Sequence, residues 1–334
     1  MSLLRKHGHQ VHVRSAAPAK FFVDAAYIEP RYYDIGMLQS DPLRYDVAAT
    51  AVWYERFIEN EPALVAEEVA YGRAHHIGLV LSDMPPIACE VADQLGVPCV
   101  VITHFTWDWV YEHYLAREPR FAPIVAHITA QYAKATMALQ MPFAHPFPQF
   151  RRVESVGLFA NPLTKTRHDV RAEFGVPEQD CVALLSMGGH GWGQTDIRAL
   201  ADMKDWTFLV MPDAYQQVKD YAHFRPVAPD YPQYHNLLGN VDLVIGKAGG
   251  STVAEVVAHQ TPMLYTLTED WRECGLLDAA LHTYGRSRYL PLAEFVRGAW
   301  VELLDKVAAI PSPQARLSVH GAEETVEKLL VISR

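Results

Sequence analysis

Short apolar, β-branched runs alternate with amphipathic stretches along the chain, which is the pattern of parallel strands joined by helices. Residues 11–14 can form a strand, and 77–82 (IGLVLS) and 99–103 (CVVIT) read as buried ones. Between the last two, residues 86–95 carry apolar positions at helical spacing and stop at Gly96, a natural C-cap before Val97-Pro98. A second set of strands is expected at 181–187 (CVALLSM), 206–211 (WTFLVM), 241–245 (VDLVI) and 262–265 (PMLY). The Pro-rich stretch 141–168 has no sustained period, and its later part, 157–167, reads as an inter-domain linker. The expected organisation is two Rossmann-like α/β domains in series, 1–158 and 159–334, with ligands at the carboxyl ends of their strands.

Length agrees with that division, since 334 residues, half of them hydrophobic, allow each part a core of its own. Thirty-nine acidic residues against 29 basic ones give a net charge of −10, which argues against a nucleic-acid or anionic-membrane partner. Cys89, Cys99, Cys181 and Cys274 form no C-x-x-C pair, so buried thiols are expected rather than a disulfide framework or a zinc site. The 16 histidines include no H-E-x-x-H, and no metal is expected. No apolar run approaches the roughly 20 residues that span a bilayer, and residues 1–10 do not form a secretory signal. The sequence therefore predicts a cytoplasmic protein without an integral membrane segment.

The chemistry concentrates in VDLVIGKAGGSTVAEVVAHQTPM, residues 241–263. A strand runs into Gly246-Lys247-Ala248-Gly249-Gly250-Ser251-Thr252 and a helix starts at once. Adjacent glycines let a backbone approach a ligand closely and adopt positive φ. Free N–H groups of a first helical turn, with the helix dipole behind them, favour an anion. Ser251 and Thr252 add hydroxyls and Lys247 adds a charge, so the parts describe a diphosphate cradle. Glu255, one turn into the helix, suits the diol of a ribose; the alternative is an acid favoured by the helix dipole. Neither a Walker A loop nor a G-x-G-x-x-G fingerprint is present.

The string G-K-A-G-G-S-T-x-x-E, followed seven residues later by Pro262, resembles the donor signature of GT-B glycosyltransferases, a group that includes UDP-sugar transferases and the cell-wall N-acetylglucosaminyltransferase. The resemblance implies a GT-B fold, with two Rossmann-like domains facing each other across a cleft. It implies that Lys247, Gly249, Gly250, Ser251 and Thr252 hold the donor diphosphate and that Glu255 holds the ribose. Residues 184–189 (LLSMGG) look like the first strand and loop of the donor domain, so Gly188 and Gly189 are expected on the diphosphate as well, with Trp192 and Gly193 shaping the loop. Residues 235–238 stand where the family reads its base. Glu269 and Asp270 stand where it holds the donor sugar, without the usual D-Q pair.

In the first half, 102–114 (ITHFTWDWVYEHY) resembles the glycosyltransferase-like domain at the front of plant arabinose kinases and their bacterial relatives. His104 and Trp107 there are acceptor-side candidates; the alternative is an aromatic core patch formed by Trp107, Tyr111 and Tyr114 at helical spacing. Asp83 directly follows a predicted strand. By resemblance it is a catalytic acid that orients a histidine base, and the alternative is a helix N-cap ahead of Pro85-Pro86. The family places that histidine on a loop after a first strand, ahead of a phrase like RKHGHQVHV (5–13). This chain starts at or within the intervening helix, so roughly 20 residues of the family pattern, the first strand and its loop, lie outside it. His7, His9 and His12 do not inherit the role. A sequence that starts late is favoured over genuine loss, because the rest of the acceptor domain is intact.

The reading that follows is a glycosyltransferase that needs no metal or other cofactor. It moves a sugar from a nucleoside-diphosphate donor, UDP-sugar first, to the hydroxyl or amine of a small-molecule or glycan acceptor. The alternative is a catalytically impaired nucleotide-sugar-binding or regulatory protein of the same fold. A sugar-nucleotide epimerase using Glu269, Asp270 and His190 is the third reading.

Overall fold

In the computed structural model, residues 1–41, 44–187, 195–298 and 300–332 are described. The chain divides into two compact units. One comprises Met1–Gln39, Tyr45–Gly157 and His320–Arg334, and the other Ser40–Arg44 with Leu158–Val319. The switch at Gly157 coincides with the start of the expected linker. The carboxy-terminal segment, expected with the second domain, instead packs with the first.

The first unit holds two separate parallel sheets. Strand β1 (His12–Arg14) pairs with β2 (Tyr27–Glu29). After a short ladder of β3 (Gln39–Asp41) and β4 (Arg44–Tyr45) comes a four-stranded sheet: β5 (Val80–Ser82), β6 (Cys99–Thr103), β7 (Met137–Gln140) and β8 (Val153–Ser155), in that order. Every residue of β6 is buried, as a central parallel strand requires. Edge strand β5 is shorter than the apolar run 77–82, because its ladder begins only where Val80 meets Cys99. The helix after it runs Ile87–Leu95 and ends on Gly96 at φ 72°, a left-handed cap that glycine adopts without a Cβ clash. A 28-residue helix, Val47–Ala74, packs on this one; it starts at the Asp46 cap and continues through the exposed Pro62. A second long helix, Gly321–Ile332, closes the unit, with Glu324 accepting from the Gly157 backbone N–H at 2.7 Å and Lys328 paired with Glu154.

The second unit is a doubly wound sheet of six parallel strands: β9 (Cys181–Ser186), β10 (Trp206–Val210), β11 (Phe224–Pro226), β12 (Leu243–Lys247), β13 (Met263–Thr266) and β14 (Ser287–Tyr289), ordered 11-10-9-12-13-14. The order reverses between β9 and β12, which is the switch point where such sheets bind ligands. One face buries Leu185, Phe208, Ile245 and Leu264 with Phe295 and Trp300. The register sets Gly246 directly against Ser186, and a Cβ at Gly246 would fall 1.6 Å from the Ser186 carbonyl oxygen. This glycine is therefore required by strand packing rather than by a ligand.

Candidate functional site

At the switch point β12 ends on Lys247 and the helix Gly250–His259 begins three residues later. Gly249 is the N-cap residue, with φ −111° and ψ 152°, and no side chain caps the helix. The first intrahelical bond is Val253 N–H to the Gly249 carbonyl, which leaves the N–H groups of Gly250, Ser251 and Thr252 as the free donors of the first turn. The expected positive φ is not used here, because the strand-to-helix turn is made with extended backbone at Gly249. What glycine supplies is room, since a Cβ at Gly249 would meet nothing within 4 Å. Ser251 is exposed and Thr252 half-buried beside that space.

Lys247 is half-buried, and among the described residues it has no hydrogen bond or ion pair. Burial lowers its pKa, opposed by the charges of Cys274 and Glu273. A partly desolvated cation three residues ahead of a helix with three free N–H groups makes a segment that gains from an anion.

Glu255 is buried, and both of its oxygens are occupied. Oε1 accepts from the Asn161 side-chain amide at 2.7 Å and its backbone N–H at 3.2 Å, and Oε2 lies 3.1 Å from His259 Nε2. Burial alone would raise its pKa, but the His259 and Asn161 hydrogen bonds outweigh it and the net shift is downward. The glutamate is thus a charged acceptor whose present donors stand where a diol could. His235 lies near enough to feel this charge, and among the described residues its buried Nε2 has no hydrogen-bond partner. Sequence reasoning missed Asn161 and named neither His259 nor the His235 side chain. The i, i+4 spacing of Glu255 and His259 was a usable signal, whereas Asn161 arrives from 94 positions away.

The donor-sugar candidates Glu269 and Asp270 are exposed on the turn after β13, Asp270 with φ 57°. The neighbouring Glu273 is buried and accepts from the Trp271 indole at 2.7 Å. Gly188, Gly189, His190, Trp192 and Gly193 lie outside the described residues. Among the described residues, no group of three or more His, Cys, Asp or Glu is placed to hold a metal ion. No helix among them is long and apolar enough to cross a membrane.

In the first unit, Asp83 follows β5 and His104 follows β6, at the carboxyl ends of two adjacent strands. Asp83 caps no helix: the N-cap of Ile87–Leu95 is Pro86, and no side chain bonds to its free N–H groups. The turn is strained, with Met84 at φ 84°, and is held by the Tyr132 hydroxyl donating to the Met84 carbonyl at 2.7 Å. Although Asp83 is exposed by area, the protein crowded around it raises its pKa, and His104 acts in the opposite sense. Trp107 is 6% exposed and stacks on Tyr111, and Tyr111 and Tyr114 are buried. These three rings form core, and the Trp107 face is not open for stacking on an acceptor. Its indole N–H instead donates to Asp34 at 2.8 Å, a residue that sequence reasoning missed.

No family model matches the chain. The chain is 27% identical over 326 residues to the L-arabinokinase of Arabidopsis thaliana, covering 95% of itself and 31% of that protein. It is 24% identical over 208 residues to the UDP-N-acetylglucosamine–N-acetylmuramyl-(pentapeptide) pyrophosphoryl-undecaprenol N-acetylglucosamine transferase of Thermus thermophilus, covering 58% of itself and 59% of that enzyme. The chain therefore spans about a third and about three-fifths of these two relatives. Among solved structures it resembles the glycosyltransferase of kitacinnamycin (TM-score 0.64, 15% identity, 99% of this chain and 93% of that one). It also resembles the glycosyltransferase VinC in complex with dTDP (TM-score 0.59, 17% identity, 99% and 94%). The two parallel-sheet units and these likenesses together show that the chain has the α/β fold of the GT-B glycosyltransferases.

Proposed function

We propose that the protein is a glycosyltransferase that takes a sugar from a nucleoside-diphosphate donor, UDP-sugar first, and passes it to an acceptor hydroxyl or amine. The observation that carries this reading is the half-buried Lys247, unpaired among the described residues, just ahead of the open first turn of the Gly250–His259 helix. In a transferase these groups do most where charge develops, on the diphosphate as the sugar leaves. Gly249, Gly250, Ser251 and Thr252 line this anion site, with Gly188 and Gly189 assigned from the sequence resemblance. Glu255 takes the ribose by exchanging its Asn161 and His259 bonds for bonds from a diol. Glu269 and Asp270 are the nearest candidates for the donor sugar, and Asp83 and His104 belong to the acceptor side. The reaction needs no metal or other cofactor, because a lysine and a helix N-terminus meet the leaving charge.

The dTDP in the VinC structure makes thymidine diphosphate the second nucleotide to try. Calorimetry with UDP, dTDP, GDP and ADP tests the reading. One nucleotide should bind, and Lys247→Ala should weaken it by about tenfold or more, or at least ~1.4 kcal/mol. Binding of none by the folded protein would end the transferase reading.

A further inference from the structure

The carboxyl end of the four-stranded sheet gathers more proton-active groups than the sequence signalled. Asp34 lies between β2 and β3 and is fixed from two sides. The Trp107 indole donates to its Oδ2 at 2.8 Å, and the turn two residues on is locked to the same helix. There the Gly36 carbonyl accepts from the Tyr111 hydroxyl at 2.7 Å, and Gly36, at φ 60°, leaves so little room that a Cβ would lie 3.2 Å from the Trp107 ring. Asp34 is half-buried, and among the described residues no donor reaches its Oδ1. Asp83 is close enough to act on Asp34 electrostatically, as is His104 on Asp83. Tyr54, from the Val47–Ala74 helix, is 0% exposed and lies within the field of Asp34, and among the described residues its hydroxyl has no hydrogen-bond partner.

Asp34 is the member of this group best suited to handle a proton. Burial is the main reason its carboxyl holds its proton more tightly than usual, and the neighbouring Asp83 adds to it, while the indole bond pulls the other way. The charged and titratable groups facing it are Asp83 from the turn after β5, Tyr54 from the long helix and Tyr111 from the Trp107–Glu112 helix. Two carboxylates repel an anionic acceptor, and a cationic amine would pair with them in its non-nucleophilic, protonated form. A neutral polyhydroxylated molecule fits.

The geometry points to Asp34 as the catalytic base of an acceptor subsite for a neutral polyol or sugar, with Asp83 as its charged neighbour and Trp107 as the positioning residue. This rests on the transferase reading. The acceptor O–H bond breaks and its proton goes to Asp34 Oδ1. The acceptor oxygen forms the bond to the anomeric carbon, and the bond from that carbon to the diphosphate oxygen breaks, the electron pair leaving with the nucleoside diphosphate. No other reactant is required.

The test compares wild type with Asp34→Asn, Asp83→Asn and Trp107→Phe, measuring nucleotide binding by calorimetry and turnover of a UDP-sugar against pH. Wild-type activity should rise as pH rises through the Asp34 pKa. Asp34→Asn should lose at least a hundredfold in kcat with nucleotide affinity unchanged. Asp83→Asn removes a negative neighbour and should move the acidic limb to lower pH. Trp107→Phe removes a hydrogen bond to the carboxylate and should move the limb to higher pH, a pair of opposite shifts that general loosening would not give. Carboxyl carbon-13 NMR of Asp34 should show the same two shifts without substrate. Turnover within a few-fold of wild type in Asp34→Asn, or a limb that stays in place in both other variants, overturns the assignment while leaving the transferase reading standing. Absence of nucleotide binding in the wild type overturns that reading instead, and the assignment with it.

Discussion

Glu255 already has partners on both oxygens. Asn161 supplies two donors to one and His259 faces the other, so a ribose diol competes with them for the carboxylate. The Asn161 side-chain amide is the nearest thing in the protein to the diol it would give way to. Asn161→Ala should therefore raise nucleotide affinity about fivefold, ~1 kcal/mol, since the competing bond is lost and the carboxylate is freed. Glu255→Gln should weaken the same ligand by about tenfold. Calorimetry on the two variants checks both, and a loss in Asn161→Ala would mean that the amide positions Glu255 rather than competing for it. At this scale the sequence was informative where a motif held the residues together, as from Lys247 to Glu255. It was silent on Asp34, Asn161 and Tyr54; the hydrogen-bond partners of Asp34 and Asn161 are 73 and 94 positions away. Nothing local distinguishes such a residue from any other loop aspartate, loop asparagine or helix tyrosine.

At the scale of elements, apolar runs gave the strands and paired registers gave their ends. Residues 99–103 read as a strand and are one, since all five are buried and Val100–Thr103 pair in register with β7. The run at 241–245 was misplaced by two, since β12 continues through Gly246 and Lys247, whose partners on β13 are Tyr265 and Thr266. Hydrophobicity does not report that pairing; a glycine and a lysine at the end of a strand look like its loop. The 28-residue helix went unread for a different reason, because Pro62 stands inside it and a proline there ordinarily ends a helical pattern. Gly246 gives the sharpest prediction at this scale. Gly246→Ala sets a methyl against the Ser186 carbonyl, so β9 and β12 must separate, and the second unit should lose stability by 1–3 kcal/mol or more. Chemical denaturation followed by the tryptophans of that unit measures it, and an unchanged midpoint would mean that the two strands can yield.

At the scale of the whole molecule, the chain leaves the first unit at Gly157 and returns to it at His320. The returning Gly321–Ile332 helix holds the exit point through Glu324 and the last strand through Lys328. Its buried residues include Val326 and Leu329, and it also touches the first helix, Ser2–Lys6. Deleting 320–334 should therefore destabilise the amino-terminal unit, by roughly 2–5 kcal/mol from the two buried aliphatic side chains and the lost Glu324–Gly157 bond. The second unit should keep its nucleotide affinity. Limited proteolysis of the deleted protein, with the cut sites mapped, distinguishes this from general unfolding; cleavage spread evenly over both units would contradict it.

The same return sets an order of events during synthesis. The amino-terminal unit is translated first but cannot gain its last helix until all of the second unit has been made. At roughly 5–20 residues per second that delay is on the order of ten seconds or more. Through that interval the second unit can close around its own sheet while the earlier one remains unsealed at the ribosome. Of these two units, the one born first is the one that matures last.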